Sequence, residues 1–426
     1  MKNHLKLIVT LLNELKSKHL IKSIDKLNYA FYDEPKIYFY SAIINDKQNT
    51  FKAKGYEVSA ENAISGGSGI SFISRYEALL KCLSECAERF CNLRFNRNDI
   101  QISSYSNLHG NILDPTLYTI DHTVREKKFG WVEGFDIIAN TYCYIPAQLV
   151  YLGYPLNNEV KLTSSISTGA AGGFDHETTL LRGIYEVVER DAYMTQYLNK
   201  IPAKRIDIEK IRNLNVQKML SKCIRYNLQL FLFDVTNDLK IPTFLTVVID
   251  KSGIGPAVVA GLKSSLNIKD AIIGSLEESL LCRFWLRYEA FKKKYNIHTI
   301  KPNKITNALQ RGLFWYPIRM IKRLDFLLNQ NPIPYQISST SFTTEEELFK
   351  LRNIFFKKNL RIFYKDITLE NFRKLGYLVY KVIIPELQPL YINEVEKEIR
   401  KGRLRSVSQY FGQNRVSINK IPHFFL

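Results

Sequence analysis

The segment Glu186-Val-Val-Glu-Arg190 places two carboxylates and an arginine within five residues. It has a near copy, Glu85-Cys-Ala-Glu-Arg89, and a looser copy in which Glu277-Glu278 precedes Arg283. Each copy lies in a segment whose apolar residues are spaced as in a buried helix. Carboxylates three residues apart share one helix face, and burying them is costly unless a cation or a metal answers their charge. The three copies together therefore indicate a site for a magnesium-bound polyphosphate.

Small residues precede each of these segments, at Ser65–Ser71, Ser167–Gly173 and Ala260-Gly261. Such stretches either form a turn that caps the helix or bring backbone amides close to phosphate. The order strand, glycine turn, helix recurs roughly every hundred residues. We therefore predict an α/β or α+β fold whose three helices gather at one site. The predicted helices span residues 75–90, 177–197 and 268–288, and the predicted strands span residues 37–44, 228–234, 243–249 and 379–385.

The composition favours some classes of binding partner over others. The 426 residues carry a formal net charge of +19, yet the basic residues are dispersed in short runs such as Lys292-Lys293-Lys294. This dispersion favours a solvated basic surface over a nucleic-acid footprint, and an acidic peptide or a nucleotide would profit from the same field. The six cysteines and seven histidines lack the spacing of a zinc site, which favours reduced, buried cysteines.

The N-terminal region is predicted to contain an amphipathic helix within Met1–Ser23, followed by a strand. No stretch has the length of a membrane span, and no apolar core with a cleavage site marks a signal peptide. We therefore expect a cytoplasmic protein with an N-terminal region at residues 1–60 and a main domain at residues 61–426 that includes the C-terminal tail.

Eight motifs follow one another along most of the chain from about residue 60. They are Glu85–Arg89, Trp131–Gly134, Ile145–Ala147, Ser167–Gly172, Glu186–Ala192, Asp234–Pro242, Glu278–Arg283 and Val382–Leu387. Each motif alone is weak, but their joint order is specific, and in this order the sequence resembles YcaO-domain proteins.

This resemblance implies a YcaO fold in which three strand–glycine turn–helix units converge on one site for ATP and magnesium. It also implies activation of backbone amides in a ribosomally made precursor peptide. There a Cys, Ser or Thr side chain attacks the carbonyl carbon, the oxygen is phosphorylated, and phosphate loss leaves a thiazoline or oxazoline. Such chemistry asks the protein mainly for positioning and charge neutralisation. The implied partners are the precursor peptide and a separate leader-binding protein resembling a ubiquitin-activating enzyme, with a flavin dehydrogenase as an optional third.

The resemblance further implies roles for individual residues. The implied metal ligands are Glu85, Glu88 and Glu189. The groups implied to contact the nucleotide are Ser68, Arg89, Gly169, Glu186, Arg190, Glu278 and Arg283. The alternative is that each Glu/Arg set is a salt bridge on a helix surface. That interpretation suits one such helix better than three in family order.

Some positions depart from the family pattern. Ser68 stands where many relatives have lysine, Thr178 where many have glutamate, and Leu281 where glutamine is frequent. The last six residues, Ile421–Leu426, resemble a Pro-His-Pro-Phe-Pro ending with two prolines replaced. An apolar end of this kind either frays or docks, and we favour docking. Docking would bring His423 or the terminal carboxylate of Leu426 near the chemistry as a catalytic group.

Three functions remain open from the sequence. The first is cyclodehydration, which the tail favours. The second, within the same family, is thioamide or amidine formation. The third is a non-catalytic scaffold subunit that keeps the fold, motivated by Ser68, Thr178 and Leu281.

Overall fold

The computed structural model describes residues 2–27, 31–45, 56–58, 66–293, 300–337, 341–413 and 418–426. These ranges form a mixed α+β structure, which confirms the predicted fold class. Among the helices of these ranges, none is long and apolar enough to cross a membrane.

Eleven α-helices lie in the described residues, and three of them are long and central to the site. The helices are α1 (Lys2–Ser17), α2 (Arg75–Asn92), α3 (Ala147–Val150), α4 (His176–Asn199), α5 (Leu214–Arg225), α6 (Ile268–Lys293), α7 (Ala308–Trp315), α8 (Asp325–Leu328), α9 (Thr344–Lys357), α10 (Glu370–Arg373) and α11 (Lys401–Tyr410). The three long helices predicted at residues 75–90, 177–197 and 268–288 correspond to α2, α4 and α6.

Fifteen strands lie in the same ranges. They are β1 (Ile21–Lys26), β2 (Tyr38–Ile44), β3 (Tyr56–Val58), β4 (Gly66–Ser71), β5 (Arg94–Asn96), β6 (Gln101–Ser104), β7 (Lys128–Asp136), β8 (Thr141–Pro146), β9 (Ala170–Gly173), β10 (Lys204–Ile206), β11 (Gln229–Asp234), β12 (Thr243–Ile249), β13 (Val258–Ser264), β14 (Phe363–Asp366) and β15 (Leu378–Ile383). The helix predicted within Met1–Ser23 ends at Ser17, and the chain then enters β1.

The strands pair antiparallel into three main sheets, with β3 and β5 as a separate pair. The first sheet has the order β1-β2-β4, the second β10-β11-β12-β13, and the third β6-β7-β14-β15-β9 with β8 attached to β7. The first sheet crosses the domain boundary predicted at residue 60, because β1 and β2 precede it and β4 follows it. The division of the chain into two regions itself stays a prediction.

Each main sheet ends in an edge strand that leads directly into one long helix. The strand β4 leads into α2, β9 into α4 and β13 into α6. Each helix packs on its own edge strand and also touches the edge strand of another sheet: α2 touches β9, α4 touches β13 and α6 touches β4. The three sheets are thus linked in a closed ring through their helices.

The glycine-rich stretches are strands at their centre, which corrects the prediction of turns there. A Cβ on Gly67 would lie 2.4 Å from the Cys82 carbonyl oxygen, and one on Gly261 would lie 2.1 Å from the Ser275 carbonyl oxygen. Glycine therefore lets strand and helix backbones pack closely at these two positions. A turn is found at Gly169, whose φ of +84° falls in the left-handed region.

Candidate functional site

One glutamate in each long helix is hydrogen-bonded to the edge strand that leads into that helix, or to the turn just before the strand. It accepts a hydrogen bond through Oε2 from a backbone amide 16 or 17 residues earlier in the chain. The bonds are Ser68 N to Glu85 (2.7 Å), Gly169 N to Glu186 (3.0 Å) and Leu262 N to Glu278 (2.6 Å). This shared geometry identifies Glu278, not Glu277, as the counterpart of the other two glutamates.

A second set of glutamates reaches across to the neighbouring unit. Glu88 in α2 accepts from Gly172 N at 2.9 Å, and Glu189 in α4 accepts from Ser264 N at 3.1 Å. In α6 the corresponding position is Leu281, three residues after Glu278. There Glu277 makes the cross-link instead, because it accepts from Phe72 N at 2.9 Å and pairs with Lys81 at 2.6 Å.

Arginines occupy the next turn in two of the three helices. Arg89 donates to Oε1 of Glu85 at 3.0 and 2.7 Å, and Arg190 lies 3.4 Å from Oε1 of Glu186. Both pairs are four residues apart. The residue four after Glu278 is Cys282, a buried thiol, so the third helix brings no arginine to this face.

Arg283 does not join the cluster. Five residues separate it from Glu278, which turns it about 140° around the helix. Its guanidinium pairs with Glu34 at 2.8 Å and Asp250 at 2.7 Å, and it also donates to the Pro256 carbonyl. Arg283 thus lies in a buried ion-pair network away from the glutamates, and its nucleotide contact stays a prediction.

Arg190 is the hub of the charge cluster. Its guanidinium nitrogens lie 3.4 Å from Glu186, 3.5 Å from Glu189 and 3.9 Å from Glu278. The ring of Phe425 covers the guanidinium, with 4.4 Å between Cζ and the ring centroid. Since two of the three carboxylates come from α4 and one from α6, Arg190 joins these helices electrostatically.

Burial strongly raises the pKa values of Glu88 and Glu278. Burial and the nearby charge of Glu85 raise the pKa of Glu88 to about 8. Burial, opposed by Arg190, raises the pKa of Glu278 to about 7. Both groups therefore keep a substantial protonated fraction near neutral pH, and a divalent cation would displace those protons on binding.

The donor set suits a magnesium ion that arrives with a nucleotide. Within the described ranges no three acidic, thiol or imidazole groups already form a metal cage. Magnesium commonly takes only one or two protein carboxylates and completes its shell with phosphate oxygens and water. The Oε1 atoms of Glu85 and Glu186, which face arginines, are carboxylate oxygens of the kind that such an ion binds.

Two predicted ligands are already engaged. Glu189 is 2% exposed, with Oε1 on Lys263 (3.0 Å) and Ser264 N and with Oε2 near Arg190. The Ser68 hydroxyl lies 3.2 Å from Oε2 of Glu85 and reinforces the bond from its own amide. A metal role for Glu189 and a nucleotide contact for Ser68 stay predictions, and each requires these partners to be exchanged.

The C-terminal tail is docked, which confirms that prediction. Phe424 and Phe425 are buried, and Leu426 packs beside the apolar side chains of α6. His423 is fully buried as well, and its Nε2 lies 2.7 Å from the Tyr391 carbonyl oxygen. His423 therefore packs in the interior, and a catalytic role for it stays a prediction. A catalytic role for the Leu426 carboxylate stays a prediction.

Sequence reasoning missed Lys381, which lies on β15 behind the Gly169 turn. Its ammonium donates to the carbonyls of Ile166 (2.8 Å) and Thr168 (2.7 Å) and so holds the small-residue loop in place. Burial, opposed by Glu186, lowers the pKa of Lys381 to about 8. Lys381 and Arg190 line a small cleft of about 80 Å³. A lysine in the middle of a strand was the available signal, and its charge has no partner nearby in sequence.

Comparison with known proteins identifies the class. Residues 69–388 match the model of the family described as YcaO cyclodehydratase, ATP- and Mg²⁺-binding. The chain therefore belongs to the YcaO family. An uncharacterised protein of Methanothermobacter thermautotrophicus is 24% identical to it over 340 residues, which cover 78% of this chain and 84% of that protein.

Solved structures share the fold at low sequence identity. A heterocyclase in complex with substrate and cofactor has a TM-score of 0.76 and 18% identity, covering 97% of this chain. This chain spans 57% of that heterocyclase's length. YcaO from Methanopyrus kandleri, bound with AMPPCP and Mg²⁺, has a TM-score of 0.64 and 17% identity over 93% of this chain and 94% of its own. The Escherichia coli microcin synthetase McbBCD complex with pro-MccB17 bound has a TM-score of 0.61 and 14% identity, covering 85% of this chain and 88% of that one.

Proposed function

We propose that this chain is an ATP- and magnesium-dependent cyclodehydratase that converts Cys, Ser or Thr of a ribosomally made peptide to an azoline. One observation carries the proposal. Glu85, Glu186 and Glu278 each hold one oxygen on a backbone amide and turn the other toward an arginine. Carboxylates fixed in this way are positioned to exchange arginine for a magnesium-bound phosphate.

The roles of the residues follow from their positions. Bound ATP and magnesium would supply the phosphoryl group and offset its charge. Arg89 and Arg190 would turn from their carboxylates to phosphate oxygens, since guanidinium binds both kinds of oxyanion. Glu85, Glu186 and Glu278 would then take the metal, and the Gly169 turn, held by Lys381, fixes the amide that orients Glu186.

The proposed reaction balances as follows. The side-chain thiol or hydroxyl of the peptide attacks the preceding carbonyl carbon and loses its proton, while the carbonyl oxygen accepts the γ-phosphoryl group of ATP. The C–O bond then breaks and inorganic phosphate leaves, as the amide nitrogen loses its proton and forms the C=N bond of the ring. The products are ADP, phosphate and a peptide lighter by one water.

The test combines the purified protein with Mg-ATP, the precursor peptide and the proposed leader-binding partner. We expect ADP formation together with loss of one water mass per ring. Glu186→Gln and Arg190→Ala should abolish both signals, whereas Glu370→Gln, an exchange on an exposed surface, should change neither. Exchange of sulfur for oxygen, in place of water loss, would redirect the proposal to thioamide formation.

A second candidate is a scaffold subunit that keeps the fold without turnover. The third helix favours it, because Leu281 and Cys282 replace a glutamate and an arginine of the other two helices. This candidate predicts that the protein assembles with its partner but hydrolyses ATP no faster than Arg190→Ala does. Measured ADP formation above that background would reject it.

A further inference from the structure

The last residues of the chain are anchored by hydrogen bonds to their backbone. The indole of Trp315 donates to the Pro422 carbonyl at 3.1 Å, and Arg311 donates to the His423 carbonyl at 3.0 Å. The amide of Phe424 donates to the Tyr193 hydroxyl at 3.2 Å. Because backbone atoms are held on three sides, the side chains that follow have fixed positions.

The two phenylalanines of this tail differ in the contacts that their rings make. Phe424 packs edge-on against Tyr193, Tyr197 and Trp315, all within the apolar core. Phe425 also lies in this core, with its ring centroid 5.7 Å from that of Tyr193, but in addition its ring faces the guanidinium of Arg190 at 4.4 Å. The tail therefore connects the end of the chain to the hub of the charge cluster through one aromatic contact.

Arg190 has little other support for its position. Its three carboxylate contacts are long, at 3.4 to 3.9 Å, and its buried Nε and one terminal nitrogen make no hydrogen bond within the described residues. Arginine readily stacks on an aromatic face, and this attraction leaves its N–H groups free to point elsewhere. A ring at this place can hold the guanidinium without competing for the groups that would bind phosphate.

We propose that Phe425 is a positioning residue that holds Arg190 ready for the nucleotide phosphates. The inference rests on the proposed function, because it assigns Phe425 a task in nucleotide binding at the same site. Phe425 itself touches neither substrate nor metal in this scheme and acts through Arg190 alone.

Titration calorimetry with Mg-AMPPCP on the full chain tests the proposal. Phe425→Leu keeps an apolar side chain but removes the aromatic face, and we expect affinity to fall about threefold to tenfold. Phe425→Tyr should retain wild-type affinity. Phe424→Leu is the matched control, because it also removes a ring that packs against Tyr193, and we expect it to lower Tm while leaving affinity within about twofold of wild type.

A double-mutant cycle separates positioning from general damage. In an Arg190→Gln background, Phe425→Leu should produce no further loss of affinity, because its target is already gone. Equal losses in both backgrounds, or equal losses for Phe424→Leu and Phe425→Leu, would overturn the proposal.

A measurement without nucleotide distinguishes failure of this proposal from failure of the proposed function. The Nε–H resonance of Arg190, assigned by its absence in Arg190→Gln, should move when Phe425→Leu removes the ring current above it. An unmoved resonance overturns the positioning role. If the resonance moves but the wild-type protein does not bind Mg-AMPPCP, the contact stands and the nucleotide function falls.

Discussion

Arg190 is a single side chain that lies close to carboxylates from two helices. Three glutamates lie within 4 Å of it, so its removal would leave the partly exposed Glu186 and Glu278 without this cation, while Glu189 keeps Lys263 at 3.0 Å. The same kind of electrostatic reasoning leads to a direct prediction for one other buried group, His423.

His423 should make the protein sensitive to acid. Burial, reinforced by the charge of Arg311, holds its pKa well below the ordinary 6.5. Below about pH 6.5 the His423 imidazole is protonated in the unfolded chain but stays neutral in the folded chain. The free energy of unfolding therefore falls as pH drops, by up to about 1.4 kcal/mol per unit, and this contribution is constant above pH 6.5. Urea denaturation between about pH 5 and 7 measures the slope.

His423→Gln should reduce that slope because the titrating group is removed. The same exchange at His109, which is exposed, should leave it unchanged. A slope that survives in His423→Gln would show that other groups cause the acid sensitivity.

Gly169→Ala should destabilise the protein and disturb Glu186 together. The new Cβ would lie 2.2 Å from the Val382 carbonyl oxygen, at a φ of +84°. Gly376→Ala is the matched control, since Gly376 has a φ of +71° and no heavy atom within 4 Å of the Cβ position. We expect about 1–2 kcal/mol from the backbone conformation in both variants. Gly169→Ala should lose about 1–3 kcal/mol more through the clash, as measured by chemical denaturation.

The positions of the long helices could be predicted from the sequence, but the local structure of the glycine segments could not. The apolar spacing around Glu186 predicts α4 within two residues at each end, and β12 was predicted at its observed limits. Glycine usually marks turns, so Gly67 and Gly261 gave the wrong local structure. Their actual role depends on how closely a helix crosses a strand, which the local sequence does not encode.

Gly67→Ala tests that close approach. Its Cβ would lie 2.4 Å from the Cys82 carbonyl oxygen and 2.6 Å from the Cys86 amide nitrogen, and a helix backbone cannot rotate aside. We expect β4 and α2 to separate, with a loss of about 1–3 kcal/mol in the free energy of unfolding. Gly402→Ala, with open space around the Cβ position in α11, should be neutral or raise stability by up to about 1 kcal/mol. Equal effects of the two exchanges would refute the packing role.

At the scale of the whole molecule, the cluster of glutamates follows from the order of the motifs, but its partners do not. Phe425 lies at the end of the chain and Lys381 on a distant strand, so no local pattern connects either to Glu186. The spacing in the sequence already sets Arg283 apart from the other two arginines. Glu85 and Arg89, like Glu186 and Arg190, are four residues apart, and the same spacing from Glu278 leads to Cys282. Glu34, the actual partner of Arg283, lies 249 residues away in sequence.

Arg283→Met should therefore separate stability from nucleotide binding. The exchange leaves Asp250 buried without its cation, while Glu34 keeps its ion pair with Arg287, and we expect a cost of about 3–5 kcal/mol in the free energy of unfolding. Well below its lowered Tm, the folded variant should bind Mg-AMPPCP within about threefold of wild type, a difference under 1 kcal/mol.

Arg190→Met is the matched comparison, because it removes the same charge from the glutamate cluster and should weaken Mg-AMPPCP binding at least about tenfold. Calorimetry on both variants, with circular dichroism to verify folding, decides between the two arginines. If folded Arg283→Met loses as much affinity as Arg190→Met, the nucleotide contact first predicted for Arg283 holds, and the ion-pair network with Glu34 would have to open on binding.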